Sequence, residues 1–407
     1  MTIAATTRPP TASTPGPVPA PNMNTKVAGV ALAIIAALGY GAYNAAGPEM
    51  LALFAIGGGL GIALYHAAFG FTGSWRAFLT ERRGSGLRAQ MLMLAVAVAV
   101  FLPLLDQGSL FGQSVRGAIA PVGLSVVVGA FVFGFGMQLG GACASGTLFT
   151  TGGGQTRMLV TLVFFLVGSL LGSLHIPWWF TLPHLGSLSI QGQVGTWGAI
   201  AVSWAVFAAI AAATVVLERQ RHGRLAPPQA ASRTGWARIL QGPWPLAAGA
   251  LALAALNIAT LGVSGHPWSV SFGYTLWGAK AASALGLDVA SWSFWTWPYP
   301  KAALEGGLLA EDTSVMNFGI LAGALLAAGL AGKFAPAWHV PRRLVLASAI
   351  GGTLMGYGAR LAFGCNIGAM FSGIASGSLH GWLWLVCALG GNAAGVFARP
   401  LFGMSRR

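Results

Sequence analysis

The chain has 407 residues, of which 55% are hydrophobic and 7% charged, with a mean hydropathy of +0.71. A soluble domain carries about 25% charged residues, so a water-soluble globule is excluded, and long unbroken apolar runs exclude a barrel of alternating strands. The net charge of +14 needs no nucleic acid to explain it, because the basic residues are distributed as membrane topology distributes them.

Residues 1–25, MTIAATTRPPTASTPGPVPAPNMNT, are rich in Pro, Thr and Ala. They lack a compact basic region followed by an apolar core, so they read as a disordered tail rather than a signal peptide. Runs of about 20 apolar residues, enough to cross a hydrocarbon core of roughly 30 Å, then predict ten helical spans. They cover 27–46, 50–68, 89–105, 118–139, 158–174, 196–217, 243–262, 314–332, 344–362 and 382–399. Five spans fall in a first half, 26–185, and five in a second, 186–407, which includes a basic cytoplasmic linker at 218–242. Four further segments, 69–80, 140–156, 266–297 and 363–380, are apolar or rich in small residues and are broken by Gly or Pro. At membrane depth such backbone is tolerated only where it is buried in protein or lines a cavity.

With a cytoplasmic N-terminus, 18 of the 22 basic residues fall in inside loops and six of the eight acids fall outside. Positive residues mark cytoplasmic loops, so both termini are expected inside a cell (inner) membrane. The basic loops are expected to contact anionic lipid.

Two stretches 222 positions apart align without a gap: GFGMQLGGACASG at 134–146 and GYGARLAFGCNIG at 356–368. They hold two of the chain's three cysteines, Cys143 and Cys365. A second pair lies upstream, FGFT at 69–72 and FGYT at 272–275. Because each half has an odd number of spans, the second half enters the membrane upside down, and the two cysteine segments dip as re-entrant loops from opposite faces. Inverted repeats with broken elements near the midplane are a hallmark of transporters. Tight packing with Cys as a small apolar filler is the competing reading, but packing alone does not require the same residue in both loops.

Small residues after each cysteine predict short helix starts, with Ser145, Thr147, Ser372 and Ser376 as candidate caps. Open amides at a helix start attract anions, and Arg360 adds a charge five residues before Cys365. A thiol is a weak donor with a polarizable sulfur, which suits a soft sulfur-bearing anion passed by brief contacts. The candidate substrate path is Cys143, Cys365, Ser145, Asn366, Arg360, Gln138, Thr72 and Gly70. Cys387, inside the last span, reads as core. No catalytic residue, cofactor or metal is expected: the histidines are scattered, and there is no C-x-x-C pair for a membrane thiol oxidoreductase, the rival class. Since no acid falls in a predicted span, little proton-coupling machinery is expected there.

At GFGMQLGGACASG, GARLAFGCNIGAMFSGIASGSLHGW and FGFTGSWR the chain resembles the YeeE/YedE-type membrane proteins, which take up thiosulfate. The resemblance extends over most of the membrane region. It implies an hourglass-shaped transporter with short re-entrant helices, cysteines along a thiosulfate path at the positions of Cys143 and Cys365, and a small cytoplasmic sulfur-carrier protein as partner. Shorter members carry a third path cysteine in a Phe-Cys-Phe-Thr context, where this chain has Gly70. The equivalent Gly273 is glycine as well. Longer members are associated with selenium metabolism, so a selenium compound is the alternative cargo.

Overall fold

The computed structural model of the protein describes residues 22–227 and 233–406. The Pro-rich tail lies outside the described residues up to position 21, as does the middle of the basic linker, 228–232. The first half comprises α1 (Thr25–Ala46), α2 (Pro48–His66), α3 (Phe71–Glu81), α4 (Ser85–Gln107), α5 (Leu124–Gly140), α6 (Ala144–Gly152) and α7 (Thr156–Trp179). The second comprises α8 (Ile190–His222), α9 (Gly235–Gln241), α10 (Leu246–Ser264), α11 (Ser271–Ala284), α12 (Pro298–Glu305), α13 (Asp312–Ala331), α14 (Arg342–Leu361), a π-helical turn at Asn366–Ser372, α15 (Gly373–Ala375) and α16 (Leu379–Ala398). Among the described residues, sheet is limited to two small antiparallel pairs, 109–110 with 113–114 and 121–123 with 184–187, and one isolated bridge between Ser189 and Ser378.

Ten helices among the described residues are long and apolar enough to cross a membrane, and each coincides with a predicted run. The chain is an all-helical, multi-pass membrane protein. The four segments that fitted neither span nor loop hold the shorter pieces α3, α6, α11 and the π-helical turn with α15. Their ends are set by local chemistry. Helix α5, for example, stops at Gly141, whose φ of 91° lies in the left-handed region open to glycine.

The two halves pack on each other in a reciprocal pattern. Helix α7 packs on α14 as α16 packs on α5; α2 packs on α13 as α10 packs on α4; α1 packs on α13 as α8 packs on α4. At the centre α5 meets its own counterpart α14. A methyl added at Gly136 would lie 2.7 Å from the Gly351 carbonyl oxygen, and one added at Gly351 would lie 2.7 Å from that of Gly136. Gly129 meets Gly358 in the same mutual way. Gly129 and Gly351, like Gly136 and Gly358, are separated by the cysteine offset of 222. The contact is thus self-complementary and the two helices run antiparallel across it. Small residues of this kind let backbones approach where the surrounding solvent supplies no hydrophobic drive.

One acid departs from expectation. Helix α8 extends to His222 rather than ending near 217, so Glu218 lies inside it, fully buried. Its carboxylate pairs with Arg83 at 3.3 Å and Arg88 at 2.9 Å, and accepts the backbone N–H groups of Gly84 and Ala226. It clamps the α3–α4 turn to the end of α8, and every contact it makes is structural.

Candidate functional site

Both cysteines of the matched frames sit where a short helix begins. Cys143 is the N-cap of α6, with extended φ/ψ of −81° and −175°. Its Sγ accepts the Gly146 N–H at 3.3 Å and lies 3.6 Å from the Ser145 hydroxyl. Cys365 is the N-cap of the π-helical turn, and its Sγ accepts the Ile367 N–H at 3.4 Å. Both side chains are buried, and all three cysteines are free thiols.

This corrects the predicted caps. An N-cap needs extended backbone and a side-chain acceptor within reach of the next free amides, and the cysteines themselves meet both conditions. Thr147 instead donates to the Cys143 carbonyl at 2.9 Å. Ser372 donates to the Trp268 carbonyl at 2.7 Å and accepts from Asn257 at 3.3 Å. Ser376 accepts the Ala118 N–H at 3.0 Å. Of the four, only Ser145 faces a thiol.

Around Cys365 lie polar groups without protein partners. Arg360, in the last turn of α14, is buried; its Nη2 donates to Ser271 Oγ at 3.1 Å, while its Nε has no acceptor. No carboxylate pairs with it among the described residues. Asn366, fully buried beside Cys365, has both side-chain polar atoms unpaired. Buried polar atoms are nearly always hydrogen-bonded, so such a set is a candidate contact for a polar ligand. The Arg360 guanidinium is thus turned into the protein.

Gln138 stands at the position in its frame that Arg360 holds in the other. Its amide is fully buried and donates to the Thr72 carbonyl at 3.2 Å and to Asn392 Oδ1 at 3.0 Å. Its side-chain oxygen accepts from Arg76 at 3.3 Å. Thr72 is buried, with its hydroxyl unpaired. Gly70 is the N-cap of α3, with φ −118° and ψ 132°, and a Cβ built there meets nothing within 4 Å. The matching Gly273 is crowded: a Cβ would lie 2.8 Å from Asn317 Nδ2 and 3.3 Å from the Ser314 N–H nitrogen.

The two frames are tied together by Tyr274. Its hydroxyl donates to the Ala144 carbonyl at 2.9 Å, one residue after Cys143. It stacks edge-on against Phe165, which continues through Phe133 to Trp384. The Trp384 indole donates to the Gly364 carbonyl at 3.2 Å, beside Cys365. Of the eight residues predicted for the path, Ser145 stands against Cys143, Gln138 holds Thr72 two residues after Gly70, Asn366 adjoins Cys365, and Arg360 lies in the helix that leads to it. Tyr274, Ser271, Arg76 and Asn392 bond to these segments without having been expected from the sequence. The FGYT and FGFTGSWR strings contain two of them, but nothing in a string tells which hydroxyl or guanidinium turns inward. Cys387 is half-buried and packs against the core. No group of three or more His, Cys, Asp or Glu side chains among the described residues is arranged to hold a metal ion.

A family profile described as "Sulphur transport" matches residues 66–394. Among curated proteins, the chain is 32% identical over 148 residues to a "Probable transporter YedE" of Salmonella typhimurium, covering 36% of each chain. The match thus spans about a third of that relative's length. It is 26% identical over 347 residues to "Thiosulfate transporter TsuA" of Escherichia coli, covering 80% of this chain and 88% of that one. Likeness to the protein of that name in Spirochaeta thermophila is 28% over 349 residues, covering 82% and 93%.

Proposed function

Because the chain belongs to the sulphur-transport family, we propose that it is an inner-membrane transporter for thiosulfate or a related reduced sulfur anion. Cys143 and Cys365 serve as transient contacts on a central path. The observation that carries this reading is the pairing of each thiol with donors suited to an anion. Each sulfur sits at the start of a short helix among backbone N–H groups, and Cys365 adds an Arg360 guanidinium with no carboxylate. Charge attracts the anion, and the polarizable sulfur favours a soft, sulfur-bearing one. The contacts stay weak and multiple, as passage requires.

The halves act as inverted repeats, with Cys143 reached from the cytoplasmic face and Cys365 from the outer face. The antiparallel, self-complementary meeting of α5 and α14 supports this, and the charge bias supports cytoplasmic termini. Moving a dianion inward against 100 mV costs roughly 4–5 kcal/mol, which cytoplasmic consumption of sulfur offsets. A small sulfur-carrier protein is the partner that would receive the anion. The glycine at position 70, without a third thiol, favours a second cargo reading, a selenium compound.

Uptake of labelled thiosulfate by cells lacking other importers tests the assignment. Cys143→Ala and Cys365→Ala are expected to abolish uptake and Cys387→Ala to leave it intact. Equal behaviour of all three variants overturns the roles of the thiols. Competition by selenium-containing and other sulfur anions ranks the cargoes.

A further inference from the structure

We propose that Arg76, Arg157 and Arg399, with Gln138, Thr72 and Asn392, form a second binding basin for a small oxyanion at the α5 end of the Cys143 neighbourhood. Three guanidinium groups converge here from three helices or their ends. Arg76 of α3 donates to Gln138 Oε1. Arg399 donates to the Gln138 carbonyl at 2.9 Å. Arg157 of α7 donates to the neighbouring Leu139 carbonyl at 2.6 Å. Gln138 and Leu139 are consecutive, so the three bonds fall on adjacent residues at the end of α5. Among the described residues none of the three arginines is in an ion pair.

The bland explanation is that cations satisfy the last carbonyls of a helix and its negative dipole end. That accounts for Arg157 and Arg399. It does not account for Arg76, which meets only a neutral amide. Nor does it account for two buried orphans at the same node. Asn392 Nδ2 has no acceptor although its Oδ1 is held by Gln138, and the Thr72 hydroxyl has no partner although its carbonyl is held by Gln138. Both residues are more than nine-tenths buried. Three positive charges with one free N–H donor and one free hydroxyl match the oxygens of a compact dianion. There is no thiol in this set, so the basin recognises charge and oxygen geometry and accepts sulfate as well as thiosulfate. Selection for the soft sulfur atom is left to the cysteines. The inference borrows its physiological cargo from the transport reading, but its chemistry stands apart from the thiols.

The test is calorimetric binding of sulfate and of thiosulfate to the purified full-length chain in lipid nanodiscs. The comparison is wild type, a Cys143→Ala/Cys365→Ala double variant, Arg76→Gln, Arg76→Lys and Asn392→Leu. Sulfate affinity is expected to match within twofold between wild type and the double cysteine variant. It is expected to fall about tenfold or more in Arg76→Gln, the loss of one charge-assisted contact, and to recover in part in Arg76→Lys. Should Arg76→Gln fail to give a monodisperse protein, Asn392→Leu and Arg76→Lys carry the test, each weakening sulfate measurably. Sulfate binding within twofold of wild type in every folded variant overturns the basin, as does wild type without saturable binding of either anion. Either result leaves the cysteine-dependent uptake experiment untouched, so the two readings fail separately.

Discussion

The Tyr274 hydroxyl, contributed by α11 of the second half, donates a 2.9 Å hydrogen bond to the carbonyl oxygen of Ala144, the residue that follows Cys143 in the first half. One phenol thus fixes the start of α6 relative to the opposite repeat. Tyr274→Phe keeps the ring contacts with Phe165 and Trp277 and removes only this bond. A loss of about 0.5–1.5 kcal/mol in stability is expected, with uptake reduced several-fold because the Cys143 segment is less firmly held. Uptake at the wild-type rate would mean that Tyr274 is packing alone.

Gly70 and Gly273 hold matching positions but respond oppositely to a side chain. Gly70→Cys places a thiol in open space with backbone angles any residue adopts, so expression and melting temperature should stay near wild type. Gly273→Cys drives a Cβ against Asn317 and the start of α13, costing about 1–3 kcal/mol. Thermal melts of the two purified variants check the contrast. Uptake by Gly70→Cys then asks whether a third thiol alters the preference among sulfur anions.

The α5–α14 seam depends on mutual glycine contact. Gly136→Ala and Gly351→Ala each force a methyl onto a backbone carbonyl of the facing helix. Backbone cannot swing aside, so overpacking of about 1–3 kcal/mol outweighs the gain of about 1 kcal/mol in helix propensity. Both variants should melt below wild type, Gly351→Ala the further because its methyl would also lie 2.1 Å from the Gly140 backbone nitrogen. A rise in melting temperature in either would contradict that balance.

Arg360 is expected to be needed as a guanidinium. Its Nη2 is held by Ser271 while Nε stays open, a division of labour that an ammonium cannot reproduce. Arg360→Gln should reduce thiosulfate uptake about tenfold or more, and Arg360→Lys should restore only part of it. Full activity of Arg360→Gln would remove the residue from the path.

His266 gives a pH signature outside the spans. Burial lowers its pKa, but the Asp312 carboxylate 2.7 Å away, with Glu311, more than offsets this and holds it above the ordinary value of 6.5. A raised folded-state pKa contributes stability that is complete below about 6.5 and is lost as pH rises through the folded value. The melting-temperature difference between wild type and His266→Gln should therefore be larger at pH 6 than at pH 8.5. A difference that grows with pH would reverse the assignment.

Much of the architecture was legible in the residues. The ten spans follow from apolar length, because a helix must satisfy its backbone internally and cover about 30 Å of hydrocarbon. The four broken segments were visible as breaks, yet a break does not tell which residue caps the helix that follows. Serine and threonine were the expected caps by propensity, whereas the tertiary frame held Cys143 and Cys365 in the extended conformation that an N-cap needs. Glu218 escaped because α8 runs one turn beyond the apolar stretch, where Arg83 and Arg88 from another segment compensate its charge.

Sequence by itself determined the helical class, the number of spans, the pairing of the two cysteine frames and their offset of 222 positions. Each of these rests on composition and periodicity, which are local. Only the tertiary structure decided that Arg360 turns inward, that Gly70 faces open space while Gly273 is crowded, and that Arg76 and Arg399 meet at Gln138 with Arg157 on the neighbouring Leu139. Those outcomes depend on which groups from distant parts of the chain share a small volume, and no local pattern carries that information.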